Sequence, residues 1–266
     1  MARCGFGVSL VLLLAALLSS QNRPQSDPQA VSFASQSIAA LISGNAICDV
    51  TLPGSVTWSG GVTPETGTVI LLASRAGESR MNLVLPSGTR SGIRDTSTGV
   101  AQGQWIAQNG ASGLFASQNC ATDAVWFFPA LGSLAQGPNI VLTYAGQETR
   151  NGAAVQHIQS CVYQSNPLGV SPTPQQLSTL DSYLDATLLL PLAINFNAHP
   201  DSSANPNLPV EVDFSNYQAL NGVVVPTHIQ RSVQGNVLVD IAISSASFNT
   251  GLPLSNFTIN QKSAVA

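Results

Sequence analysis

Four groups of side chains in this sequence could carry chemistry. Three histidines, His157, His199 and His228, are of the residue type whose charge changes near neutral pH and which serves as general acid, base or metal ligand. They fall on separate predicted elements. His157 and His228 sit in strands, where a hydrogen-bonded sheet histidine accounts for them. His199 opens the polar loop His199-Pro200-Asp201 and reads as part of a solvated turn. Glu211 and Asp213 form the second group, two residues apart on one face of a strand, as paired carboxylates for acid–base work would be. Any water-facing strand produces that spacing as well. No G-x-S-x-G, G-x-G-x-x-G, P-loop or H-E-x-x-H motif occurs, so no catalytic residue is expected.

Cysteines make the third group. Cys4 precedes an N-terminal apolar run, which leaves Cys48, Cys120 and Cys161 as disulfide candidates. In an oxidising compartment one pair could close and leave one thiol, and all three pairings stay open. No two cysteines lie two to four residues apart, and His157 is the one histidine near any of them, so no metal site is expected. The fourth group is aromatic. Trp126, Phe127 and Phe128 are consecutive on a predicted helix and cannot all face one way. They either fill the rim of a sheet or, with Trp105 and Phe115 on the preceding hairpin, line the mouth of an apolar cavity.

The composition limits what such groups can serve. Of 266 residues only 8% are charged, while 44% are hydrophobic, and the formal charge is −4. Nucleic acid binding needs clustered Lys and Arg to neutralise phosphates, and anionic membrane surfaces need a polybasic patch. Neither is present. The hydrophobicity is too high and the net charge too small for disorder. Residues 1–20 combine Arg3, the apolar run Val8–Leu18 and the small pair Ser19-Ser20, which describes a signal peptide. That run is shorter than the roughly 20 residues that cross a bilayer, and no other stretch is longer, so no integral span is expected in the mature chain.

The elements that must position these groups are mostly strands. Asp27 to Gly44 is the first predicted helix, capped by Asp27 with Pro28 in its first turn. A second is predicted from Asn119, as its cap, to Gln136, broken or kinked at Pro129. Strands are predicted at 47–59, 68–75, 79–85, 89–96, on both sides of Asn109-Gly110, and at 140–150, 153–164, 210–217, 223–233 and 237–247. Residues 182–197 read as two more, pinched at Pro191. Asn151-Gly152 and Asn221-Gly222 are strong hairpin signals. Alternation in Val210-Glu211-Val212-Asp213-Phe214 leaves one face apolar, which the helices must cover.

Three segments carry a resemblance: Tyr183-Leu184-Asp185-Ala186-Thr187-Leu188-Leu189-Leu190-Pro191, then Val210 to Tyr217, then Asn221-Gly222-Val223-Val224-Val225-Pro226. Together they resemble the last third of the LolA/LolB/RseB-like periplasmic lipoprotein-carrier and sigma-regulator superfamily. The segment Asn119 to Leu131 is more similar to uncharacterised secreted bacterial proteins. The resemblance implies a half-open antiparallel barrel with helices over its concave face, a concavity that holds lipid acyl chains in the carriers. The expected fold is therefore α+β, mainly β, with residues 27–259 as one domain and 260–266 as a polar tail. The expected function is non-catalytic: an exported, periplasmic or extracellular protein binding an apolar ligand, lipid or lipidated partner. A structural or protein-interaction module of the cell envelope is the alternative. No cofactor and no nucleic acid partner are expected.

Overall fold

The computed structural model describes residues 24–120, 139–164 and 173–259. The predicted signal peptide, most of the predicted second helix with Trp126, Phe127 and Phe128, and the tail lie outside them. Among the described residues fourteen strands form one antiparallel sheet. In chain order they are β1 (Asp49–Trp58), β2 (Glu65–Ser74), β3 (Ser79–Leu85), β4 (Gly88–Asp95), β5 (Gln102–Ile106), β6 (Ser112–Leu114) and β7 (Ile140–Arg150). The second half adds β8 (Ala153–Val162), β9 (Leu180–Asp185), β10 (Pro191–Ala198), β11 (Leu208–Leu220), β12 (Val223–Val233), β13 (Asn236–Ile243) and β14 (Ser247–Phe248). The spatial order is β6-β5-β4-β3-β2-β1-β13-β12-β11-β10-β9-β8-β7, with β14 paired to β1 off that path. The sheet is a meander with one rearrangement: β13 returns to pair with β1 and joins the two halves.

Tight turns set the registers. Asn151-Gly152 and Asn221-Gly222 both take positive φ at both residues, as a two-residue hairpin turn demands. Gln234-Gly235 does the same before β13. The two strands expected over 182–197 are β9 and β10, and Pro191 begins the second: it lies at a register shift against β9, the irregular position a proline tolerates in a sheet.

Register also separates the two faces. Val56, Ile241, Ile229 and Phe214 are cross-strand neighbours on β1, β13, β12 and β11, and all four are buried. One residue along lies the row Asp240, Gln230, Asp213, Ala193, Tyr183 and His157, which is polar except for Ala193. A slip of one residue would exchange these faces, so burial of the first row locks the position of the second.

The sheet is strongly curled but not closed. Residues 117–119, a 3-10 turn after the edge strand β6, reach the end of β10, nine places away in the sheet. Asn119 donates its amide to His199 O (2.8 Å) and accepts from His199 N–H (2.8 Å). Gln118 donates to Pro200 O (2.9 Å) beside it. Helix α1 (Pro28–Ile42) lies against β7, β8 and β12. Its cap Asp27 accepts from Gln29 N–H (2.8 Å), and Ser43, at φ 49°, ends it. Ala30 is fully buried against Leu142, Ile158 and Leu184, and Phe33 meets Tyr144 at 5.3 Å between ring centroids. The chain entering the helix also covers edge strand β7, where Leu142 N–H donates to Ser26 Oγ (3.1 Å) and Asp27 N–H to Leu142 O (2.8 Å). A short helix, α2 (Pro174–Ser178), carries a capping box formed by Thr173 and Gln176. No helix among the described residues is long and apolar enough to cross a membrane.

Candidate functional site

The apolar face is not filled everywhere. At the β3–β6 end, away from α1, it leaves a cleft of about 320 Å3, at the small end of the range for ligand pockets. Register explains its walls. Trp58 ends the inward row of β1, Met81 and Leu83 follow on β3, and Trp105 projects from β5 on the same face. Phe115, just after β6, closes one side. Two cations enter this apolar lining, Arg90 from β4 and Arg231 from β12, and no carboxylate does.

Bare backbone seats the aromatic rings. A Cβ on Gly103 would fall 2.4 Å from the Phe115 ring, and one on Gly113 would fall 2.8 Å from Trp105. Gly60 stands in the same relation to Trp58, at 2.7 Å. These glycines are needed for close approach, which lets the rings lie on the sheet and define the cleft. The Arg90 guanidinium stacks 3.9 Å above the Trp58 ring and donates from Nη2 to Gln108. Its Nε is buried without a hydrogen-bond partner. The nearby Arg94 is buried and donates to Gly77 O (2.5 Å) and Cys120 O (3.1 Å), which ties the chain after β6 to β4. Burial lowers its pKa to about 10, while Cys120 and Glu78 act in the opposite direction, so it stays charged at neutral pH.

Two of the five aromatics singled out in sequence, Trp105 and Phe115, thus stand together on the cleft. Trp126, Phe127 and Phe128 lie outside the described residues. The sequence reading did not pick out Trp58, Met81, Arg90 or Arg231. The signal for Trp58 was present in the alternation Val50, Leu52, Val56, Trp58, and Arg90 follows on the same meander, but Arg231 comes from a strand that only the β13–β1 pairing brings near. No bridge joins Cys48, Cys120 and Cys161. Cys48 is exposed ahead of β1, Cys161 is half-buried on β8, and the Cys120 thiol donates to the carbonyls of Phe115 (3.7 Å) and Ala116 (3.5 Å). Two local expectations are corrected. His199 is 6% exposed, not solvated, because Asn119 clasps its backbone. The Asn119 side chain serves that clasp, and the helix expected to follow it lies outside the described residues.

The outer face gathers the titratable groups. His228 donates from Nε2 to Asp240 (2.9 Å), and its Nδ1 accepts from Ser215 Oγ (3.0 Å). This has the order of a nucleophilic triad, but the strands carrying it are interior to the sheet. Further along, Arg150 pairs with Glu211 (2.5 Å) and stacks on Tyr183, while His157 bonds Asp181 (2.8 Å). Asp213 is pushed up to about 6, first by burial and then by the neighbouring Glu211 carboxylate, with Arg150 and His228 pulling the other way. Among the described residues no His/Cys/Asp/Glu group is arranged to hold a metal. The outer surface is a hydrogen-bonded, water-facing network.

No family model and no curated protein matches the chain. Solved structures do. A domain assigned to outer membrane lipoprotein sorting from Vibrio parahaemolyticus superposes with a TM-score of 0.54 at 12% identity, over 86% of this chain and 96% of that one. A DUF1329 family protein from Desulfovibrio piger gives 0.53 at 10% identity, over 88% and 98%. A LolA superfamily protein from Nitrosomonas europaea gives 0.49 at 10%, over 86% and 97%. At such identities the likeness concerns architecture: a long antiparallel sheet, curled, unclosed and covered by helix, which is the LolA/LolB/RseB-like fold.

Proposed function

We propose that this chain is a non-catalytic exported protein that binds an apolar ligand, a lipid or a lipidated partner in its half-barrel cleft. Residues 1–20 are its signal peptide and residues 27–259 its single domain. The observation carrying this reading is the apolar cleft on the inner face, walled by Trp58, Trp105 and Phe115. The assignment of the Vibrio parahaemolyticus domain to lipoprotein sorting supports it. Native mass spectrometry after mild purification from the exporting cell tests the proposal. A co-purifying lipid mass, lost after delipidation and regained on adding fatty acid, is the expected result. A ligand-free species that takes up no added lipid refutes it, and an empty but oligomeric one supports an interaction module of the envelope.

A further inference from the structure

The cleft carries a charge arrangement that an uncharged lipid does not explain. Two arginines, Arg90 and Arg231, stand in its lining without a single carboxylate, in a chain with 13 acidic and 9 basic residues. On the outer face, by contrast, Arg150 is matched by Glu211. Arg90 has only neutral partners, the Gln108 amide and the Trp58 ring. The closest acid along this hydrogen-bonded chain, Glu65, is turned onto Ser87, accepting from its N–H and its hydroxyl at 2.8 Å each. The Arg90 Nε meanwhile is buried with no acceptor.

A guanidinium set in an apolar lining without an acid gains most from an anionic acceptor. Stacking on Trp58 at 3.9 Å, with one arm on Gln108, holds the planar group in place on the cleft wall. The walls beyond it are Met81, Leu83, Trp105 and Phe115, which suit hydrocarbon. Resting on the cleft as a ligand site, we propose that its ligand is a single-chain amphiphile with an anionic head. The head accepts from the Arg90 guanidinium, and the chain lies along the aromatic and aliphatic wall. The volume of about 320 Å3 admits one chain of moderate length.

Calorimetric titration of the delipidated full chain with dodecanoate and with dodecanol, both below micelle formation, tests this. The two probes share the chain and differ in the charge of the head. The unmodified protein is expected to bind dodecanoate about tenfold or more tightly than dodecanol, as charge-assisted hydrogen bonds imply. Arg90→Gln should remove most of that preference, read as the ratio of the two affinities within the same variant, and Arg90→Lys should restore part of it. Equal affinity for both probes overturns the anionic-head inference while leaving the apolar-ligand reading intact. Failure of both probes to bind defeats the reading itself. Because the comparison of probes needs no variant, a misfolded Arg90→Gln protein would not shield the proposal.

Discussion

Replacing Asn119 by alanine should loosen the curl of the sheet. The Asn119 amide makes two hydrogen bonds of 2.8 Å to the backbone of His199, one given and one received. Both residues are buried, at 7% and 6% exposure, so truncation strands an N–H and a carbonyl in a place water reaches poorly. Each stranded group costs about 1–3 kcal/mol, and partial relaxation brings the pair to about 2–4 kcal/mol. For a domain of this size each kcal/mol moves Tm by about 2–4 °C, which predicts a fall of about 5–12 °C. Gln118→Ala is the internal comparison. It removes one bond of 2.9 Å from a less buried side chain and should cost about 1 kcal/mol. Scanning calorimetry and urea unfolding of both variants give the measurement. If Asn119→Ala lies within 0.5 kcal/mol of the parent, or if Gln118→Ala costs more, the clasp does not hold the two ends of the sheet together.

Other consequences are equally direct. The carboxyl of Asp213 has a folded pKa of about 6 against 3.8 ordinarily, so the folded state binds its proton more tightly than the unfolded chain. Its contribution is fully present below about pH 4 and is lost as pH rises through 6, which makes the neutral-pH fold weaker by about 1 kcal/mol after solvent screening. Asp213→Asn should therefore stabilise the protein at pH 8 and flatten the stability profile between pH 4 and 6, and an unchanged profile in pH-dependent urea melts would contradict this. Among the thiols, Cys48 is exposed, Cys120 is buried, and burial pushes the half-buried Cys161 thiol up. Timed labelling with a thiol reagent should give one fast site that disappears in Cys48→Ser, with the other two slow until the protein unfolds.

Local signals carried most of the fold. The limits of β3, β7 and β12 coincide with the predicted runs, because each is bounded by a turn whose residue types leave little choice, as at Asn151-Gly152 and Asn221-Gly222. Strand ends without such turns moved by a few residues: β11 continues through Asn216, at φ 54°, to Leu220. What was illegible is non-local. Asn119 carries the residue type of a helix cap, and only the curl that brings it to His199, 80 residues later, gives it another use. The cleft shows the same division. Trp105 and Phe115 stood out as aromatics of one hairpin, and Trp58 and Arg90 join them through the consecutive strands β1 to β5, whereas Arg231 arrives only through the pairing of β13 with β1. Gly103 and Gly113 are places where rings lie on bare backbone, a use that only the paired strands reveal. Ser215, His228 and Asp240 sit on three separate strands, and register alone aligns them.

The central claim is that the cleft under Trp58 and Trp105 holds hydrocarbon. The chain has three tryptophans, and Trp126→Phe leaves these two as its only indole reporters. Quenching of their fluorescence by a brominated fatty acid, which acts only at short range, reads the claim directly. Saturable quenching, competed by the unbrominated acid and reduced when Gly103→Val drives Phe115 from its seat, is the predicted result. Emission that the brominated chain leaves unchanged, although the protein remains folded, would show that the cleft binds no such ligand.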